Sequence, residues 1–292
     1  MWDTINTNIA QATGTPFVAQ QHRNVGGGCI NAAYLVEGQH KKYFVKTNTV
    51  ENAGMFEAEA AGLNEINSAK AIRAPQPICH GTVDSHVYLV LEYIDLGSCS
   101  GNCAIRMAQQ LAGMHRKTST HYGWMRDNTI GTTPQINILE THWIEFWRKH
   151  RLAYQLNLAN RKGAGKAVQV KGEHLMEALP AFFTDYQPLP SLLHGDLWGG
   201  NHGMDESGNP IIFDPAVYYG DREADLAMTE LFGGFSNGFY SAYQEAFPLD
   251  SGYKTRKTLY NLYHILNHFN LFGGGYASQA QRMMDMLLAE VR

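Results

Sequence analysis

The sequence predicts an α+β fold of two unequal lobes: a small, mostly antiparallel β-rich lobe, then a larger, mostly helical one. Three observations carry this. Up to about residue 95 the chain holds five short strand-like runs and one long helical period. Beyond Gly97 the apolar repeats turn almost wholly helical. The two regimes meet at EYIDLGS, a short extended stretch that includes Gly97. The lobes are therefore expected at residues 1–95 and 96–292, with a hinge at 92–97.

The elements follow in order. MWDTINTNIAQATG reads as a short helix. FVAQQHRNV (17–25) and INAAYLVEG (30–38) are strands flanking a glycine cluster, and KKYFVKTN (41–48) is a third. NAGMFEAEAAGLNEINS (52–68) repeats apolar residues at Met55, Phe56, Ala60, Leu63 and Ile66, a helical period. Prolines introduce APQPICHGTV, and HVYLVLEYI completes the strands. Helices are expected at 102–118, over 137–159 and around HLMEALPAFFTDY. A β-like pair around IIFD and three further helical stretches close the chain.

Composition narrows the function. With 44% hydrophobic and 17% charged residues over 292 positions, the chain is globular and long enough for one large or two modest domains. A net charge of −4 argues against wholesale binding to nucleic acid or anionic membrane. No apolar run reaches the ~18 residues of a membrane span, and the N-terminus lacks the blocks of a signal peptide. Cys29, Cys79, Cys99 and Cys103 show no paired zinc spacing, so reduced thiols in a cytoplasm are the expectation. Cys99 and Cys103 share one helical turn and read as small buried residues.

The chemistry concentrates in LLHGDLWGGN (192–201) and the IIFDPA that follows. Asp196 and Asn201 are short oxygen-bearing side chains five residues apart, and Asp214 ends an apolar run. Asn201 and Asp214 suit a hard cation such as Mg²⁺, completed by phosphate and water. Asp196 suits a general base accepting the proton of an attacking hydroxyl. His194 is expected to support the loop by hydrogen bonding, and the glycines let it fold tightly. A simple turn satisfied by its own Asp and Asn would explain the loop alone, but not together with Asp214.

Upstream, Gly26, Gly27 and Gly28 either offer backbone N–H groups for phosphate or, as the run alone would suggest, form only a glycine-rich hairpin turn; the run does not match GxGxxG. NRKGAGKA (160–167) fails the Walker pattern at Asn160 and Ala167 and reads as an interhelix loop. Lys46, inside a strand, is costly to enclose unless paired, and Glu59 on the following helix is its expected partner. Such a pair can aim an ammonium at nucleotide phosphates.

HGDLWGGN with IFDPA resembles the catalytic and metal loops of the protein-kinase-like small-molecule kinases, the aminoglycoside and choline kinases among them. SLLHGDLWGGNHG, GDREADLAMTELFGGF and LYHILNHFNLFGGGY are similar, more narrowly, to the fructosamine (ketosamine-3-kinase) family. The resemblance runs from about residue 17 to the C-terminus. It implies a two-lobed protein-kinase-like fold with ATP and Mg²⁺ between the lobes. Lys46 would touch phosphate, Glu59 would hold it, and the backbone of Glu92, Tyr93 and Ile94 would bind adenine. Asp196 would be the base, and Asn201 and Asp214 the Mg²⁺ ligands. The implied reaction is phosphorylation of the C3 hydroxyl of a free or protein-bound ketoamine sugar, after which the adduct decomposes and frees the amine. The chain departs from protein kinases in its H-G-D and Asp-Pro-Ala, as the small-molecule branch does.

Two residues are expected at the substrate. Trp198 is placed to stack on the sugar, with packing on the loop as the alternative. Asp225 either reaches the substrate amine or, with Arg222 and Glu223, braces the metal loop, and bracing is the stronger reading. Asp221 is the expected cap of that helix. Cys29 in the glycine loop suggests a redox-sensitive thiol able to link two chains, so monomer and homodimer both stay open. The rival functions are another small-molecule kinase, acting on an aminoglycoside, choline or an amino alcohol, and a non-catalytic nucleotide-binding pseudokinase.

Overall fold

The computed structural model describes residues 1–26 and 30–291. Helix α1 (Trp2–Thr13) opens the chain, followed by strands β1 (Gln21–Asn24), β2 (Ala32–Glu37) and β3 (Lys42–Thr49). Helix α2 (Ala53–Ser68) is inserted before β4 (Pro77–Val83) and β5 (His86–Glu92). The five strands form one antiparallel sheet in the order β1-β2-β3-β5-β4. The strand read from residue 17 begins only at Gln21.

Alternation along β3 decides what each face does. Tyr43 and Val45 pack with Ile5 and Ile9 of α1 in a cluster that covers one face. Phe44 and Lys46 lie on the other face, toward α2, and Lys46 is 6% exposed. Phe56, Ala60, Leu63 and Ile66 line the buried stripe of α2, as their spacing predicts.

The rest of the chain is mainly helical. Helix α3 (Asn102–His115) leads into the hairpin β6 (Asn128–Ile130) and β7 (Thr133–Gln135), which the sequence did not reveal. The helix expected over 137–159 starts late: α4 (Trp143–Trp147) passes through a π-helical turn into α5 (Tyr154–Arg161). Residues 137–142 cannot join it because their backbone is spent elsewhere. Asn137 O accepts from Trp124 N, and Glu140 exchanges two hydrogen bonds with Tyr122. NRKGAGKA spans the end of α5, the expected loop at residues 162–165 and the start of helix α6 (Lys166–Ala178).

Next come β8 (Ser191–Leu193), β9 (His202–Met204), β10 (Pro210–Ile212) and β11 (Tyr218–Gly220). β9 pairs with β10, and β8 with β11. Among the described residues four helices, not three, follow: α7 (Glu223–Leu231), α8 (Asn237–Ala246), α9 (Tyr253–Phe272) and α10 (Tyr276–Glu290). Gly233 and Gly234, both at positive φ, separate α7 from α8.

The expectation of reduced thiols fails at Cys99 and Cys103, which are joined in a disulfide with Cα atoms 5.2 Å apart. Cys99 lies before α3 and Cys103 in its first turn, so the bridge ties the segment after residues 92–97 to that helix. Cys29, with its proposed redox role, lies outside the described residues.

The β-rich part is tied to the helical part at several points. Gly97 and Met204 exchange backbone hydrogen bonds. Arg73 pairs with Glu92 at 2.6 Å and Asp205 at 2.8 Å. Glu65 of α2 accepts from Lys117 and Tyr219. Gly62 lets α2 close on the chain after Asp214, since a Cβ there would lie 3.1 Å from Val217 Cγ2.

Candidate active site

Asp196 sits on the loop between β8 and β9, and the loop is fixed from below. Gly195 has φ +81°, and a Cβ on it would lie 2.1 Å from Ala216 O, so only glycine fits. His194 supports the turn as expected. Asp196 N donates to its Nδ1 at 3.2 Å, which leaves Nε2–H to donate to Phe213 O at 2.9 Å.

Asp225, at the start of α7, is 1% exposed. Its Oδ2 accepts from His194 N at 2.7 Å and its Oδ1 from Gly195 N at 2.8 Å. Both oxygens are committed beneath the loop, so the geometry corrects the placement of Asp225 at a substrate amine and matches bracing instead. The partners differ from those expected. Arg222 bonds to Tyr243 and to the carbonyls of Phe247 and Pro248, while Glu223 pairs with Arg256. Asp221 Oδ1 does accept from Glu223 N at the helix start.

Asn201 faces Asp196 across the loop. Its amide donates to Asp196 O at 2.9 Å and more weakly to Asp196 Oδ2 at 3.4 Å. The nitrogen half of the side chain thus holds the loop, and the carbonyl half is left for another partner. Asp214 lies in the left-handed region at φ +56°. Pro215 disfavours the right-handed helical region there, and aspartate tolerates the left-handed one better than most residues. The Asp214 side chain is 47% exposed, and its Oδ1 accepts from Lys46 Nζ at 2.6 Å.

Lys46 is held twice, since Glu59 Oε1 also lies 2.6 Å from its Nζ. Burial works against the ammonium, but the charges of Asp214 and Glu59 outweigh it and hold the Lys46 pKa above the ordinary lysine value. The ion pair expected from sequence is therefore a triad that joins strand β3, helix α2 and the Asp214 turn. Asp196 is pushed up to about 7, first by burial and then by the negative charges of Asp214 and Asp225. A carboxylate in that range accepts a proton far more readily than an ordinary aspartate.

At residues 92–94 the Glu92 N–H is taken by Gln76 O. Tyr93 and Ile94 lie beyond the end of β5. Trp198 is 40% exposed, with its ring over Gly200, where a Cβ would lie 2.3 Å from Cη2. Of the glycine run only Gly26, at φ +57°, lies within the described residues; Gly27 and Gly28 fall outside them.

Two hard oxygen ligands, Asn201 Oδ1 and the Asp214 carboxylate, fit Mg²⁺ of the kind that keeps water and phosphate in its shell. No cluster of three or more His, Cys, Asp or Glu suited to a metal occurs among the described residues. No helix among them is long and apolar enough to cross a membrane.

The fructosamine kinase family model matches residues 1–290. A probable ketoamine kinase of Synechocystis is 49% identical over 98% of this chain and 97% of its own. A chloroplastic protein-ribulosamine 3-kinase of Arabidopsis thaliana is 44% identical over 90% of this chain and 81% of its own. The crystal structure of a putative fructosamine-3-kinase from Haemophilus somnus superposes with a TM-score of 0.91 at 28% identity, covering 99% of this chain and 98% of that one. An aminoglycoside phosphotransferase shares the fold alone, at TM-score 0.66 and 13% identity over the full length of both chains.

Proposed function

Since this chain belongs to the fructosamine kinase family and is an ATP-dependent kinase, we propose that it transfers the γ-phosphoryl group of ATP to the C3 hydroxyl of a ketoamine sugar. The observation that carries the reading is Asp196. It is a partly buried carboxyl with a raised pKa, on a loop whose neighbouring Asn201 and Asp214 offer oxygens to a cation. ATP binds between the lobes, with adenine against the Tyr93–Ile94 backbone and phosphate against Lys46 and the loop containing Gly26. Asn201 and Asp214 would hold Mg²⁺. When bound, that ion neutralises the charge of the β- and γ-phosphates.

The protein's own part is positioning and proton transfer. Asp196 accepts the C3 hydroxyl proton as the oxygen attacks the γ-phosphorus. A new P–O bond forms, the bridging β–γ P–O bond breaks, and ADP leaves. Trp198 packs against the sugar ring. The half-exposed indole beside the base favours this over a purely structural role.

ATP consumption with fructoselysine, ribuloselysine, an aminoglycoside and choline tests the substrate class. Turnover confined to the ketoamines is expected, and Asp196→Asn should lower it by at least ~100-fold with ATP binding retained. Preference for the aminoglycoside or choline would refute the assignment. ATP binding without turnover on any of the four would favour a nucleotide-binding protein. Trp198→Ala should raise the ketoamine KM and leave the ATP KM unchanged, with Trp198→Phe recovering much of the loss.

A further inference from the structure

His115, at the end of α3, is fully buried and takes no part in the reaction above. Its surroundings define a one-way chain of hydrogen bonds. Arg222 Nη1 lies 3.1 Å from Tyr243 Oη. A guanidinium can only donate, so the tyrosine oxygen accepts. The single Tyr243 hydroxyl proton then goes to His115 Nδ1, 2.7 Å away. An imidazole that accepts at Nδ1 carries its proton at Nε2. Nε2 lies 3.2 Å from Asp225 Oδ2 and donates to it.

The chain ends on the catalytic loop, because Asp225 receives the backbone N–H groups of His194 and Gly195, the two residues before Asp196. Three donors thus fix one carboxylate: two from the loop and one from His115. We propose that His115 is a positioning residue for phosphoryl transfer: locked as the Nε2–H tautomer by Arg222 and Tyr243, it aims Asp225 at the backbone that places Asp196. The neutral ring suits its site. Burial pushes the imidazole pKa down, overriding the pull of Asp225. A protonated ring would instead present a second N–H to a tyrosine oxygen that already accepts from Arg222. Asp225, in turn, stays charged. Burial opposes its charge, but donation from His115 and from the Gly195 N–H helps to hold its pKa below the ordinary value.

The activity readout rests on the ketoamine kinase reading, so two further measurements are independent of it. Nitrogen-15 NMR of the histidine rings should show His115 protonated at Nε2 and bare at Nδ1. Hydrogen exchange should show the His194 and Gly195 amides protected in the wild type and at least ~10-fold less so in His115→Leu. With the ketoamine turned over by the wild type, His115→Leu should lower kcat by roughly 30- to 100-fold, the scale of a misplacement near 1 Å. The KM for ATP should stay within about twofold. His115→Gln, whose amide reaches the Nε2 position as a donor, should recover most of kcat and of the protection. Tyr243→Phe should give a mixture of tautomers and an intermediate kcat.

An Nδ1–H tautomer in the wild type would overturn the proposal. So would His115→Gln falling as far as His115→Leu while both melt near the wild type, since packing would then explain the loss. Should the wild type turn over none of the substrates, the kinase reading fails. The tautomer and the amide protection would still decide whether His115 positions the loop.

Discussion

Replacing Lys46 by methionine separates electrostatics from chemistry at the centre of this site. Methionine keeps the length and the apolar stem, so the change removes chiefly the charge. Lys46 and Glu59 have side chains 7% and 10% exposed, whereas Asp214 is 47% exposed. Removing the ammonium strands a buried carboxylate at Glu59, and breaking a buried pair in this way costs about 3–5 kcal/mol. Asp214 keeps water around it and adds little to that cost. At about 2 °C per kcal/mol for a chain of this size, the melting temperature should fall by roughly 6–10 °C. The double variant Lys46→Met/Glu59→Leu removes both buried charges, and it should regain at least half of the loss. Neither variant should turn over substrate, because both lack the ammonium proposed to meet phosphate. Thermal melts and ATP consumption on the same preparations measure both. If the double variant melts no higher than the single one, the buried-charge argument is wrong.

Other sites give shorter tests. Gly195→Ala forces a Cβ to within 2.1 Å of Ala216 O at a positive φ, so it should lower both melting temperature and kcat, as melts and initial rates would show. Reducing the Cys99–Cys103 bridge should release two thiols in a thiol titration and destabilise the fold by about 2 kcal/mol, the loop-entropy value for so short a loop. Glu65 is held below the ordinary glutamate pKa: burial opposes this, but donation from Lys117 and Tyr219 outweighs it. A depressed carboxylate stabilises the fold above its unfolded pKa, and that contribution is lost as pH falls through the lower folded value. Glu65→Gln should therefore melt lower than the wild type near neutral pH, and the gap should narrow below about pH 4.

Much of the site was legible because its residues cluster in sequence. Asp196 and Asn201 lie on one loop, and Asp214 follows a single hairpin later. Lys46 was legible for a different reason, as a charge on a strand that alternation turns inward. What sequence missed is contributed by distant elements. His115 is a lone histidine on an apolar helix face, and Tyr243 lies far along the chain on α8. Nothing local distinguishes either from core packing. The β6–β7 hairpin was missed because its strands are three residues each, too short for a period. The helix over 137–159 was overextended for a related reason. Its first residues have helical spacing, but tertiary pairing with Tyr122 and Trp124 claims their backbone.

The two halves of the site are secured by different means, and this bears on how it works. Asp196 depends on a loop fixed by glycine geometry, His194 and the buried Asp225 carboxylate, all from the helical lobe. Lys46 reaches across from the β-rich lobe, and one of its two partners, Asp214, is half exposed and held at a left-handed φ. Glu59, with a side chain 10% exposed, is the more enclosed of the two partners. In the proposed reaction, the Lys46–Asp214 contact is therefore the one to give way when phosphate enters. Its loss leaves Asp214 in contact with water or a cation rather than buried and bare, so the exchange costs little. The base, by contrast, has no such freedom. In the proposed reaction, phosphate and cation settle on the adaptable half of the site, while the proton acceptor stays where the buried network puts it.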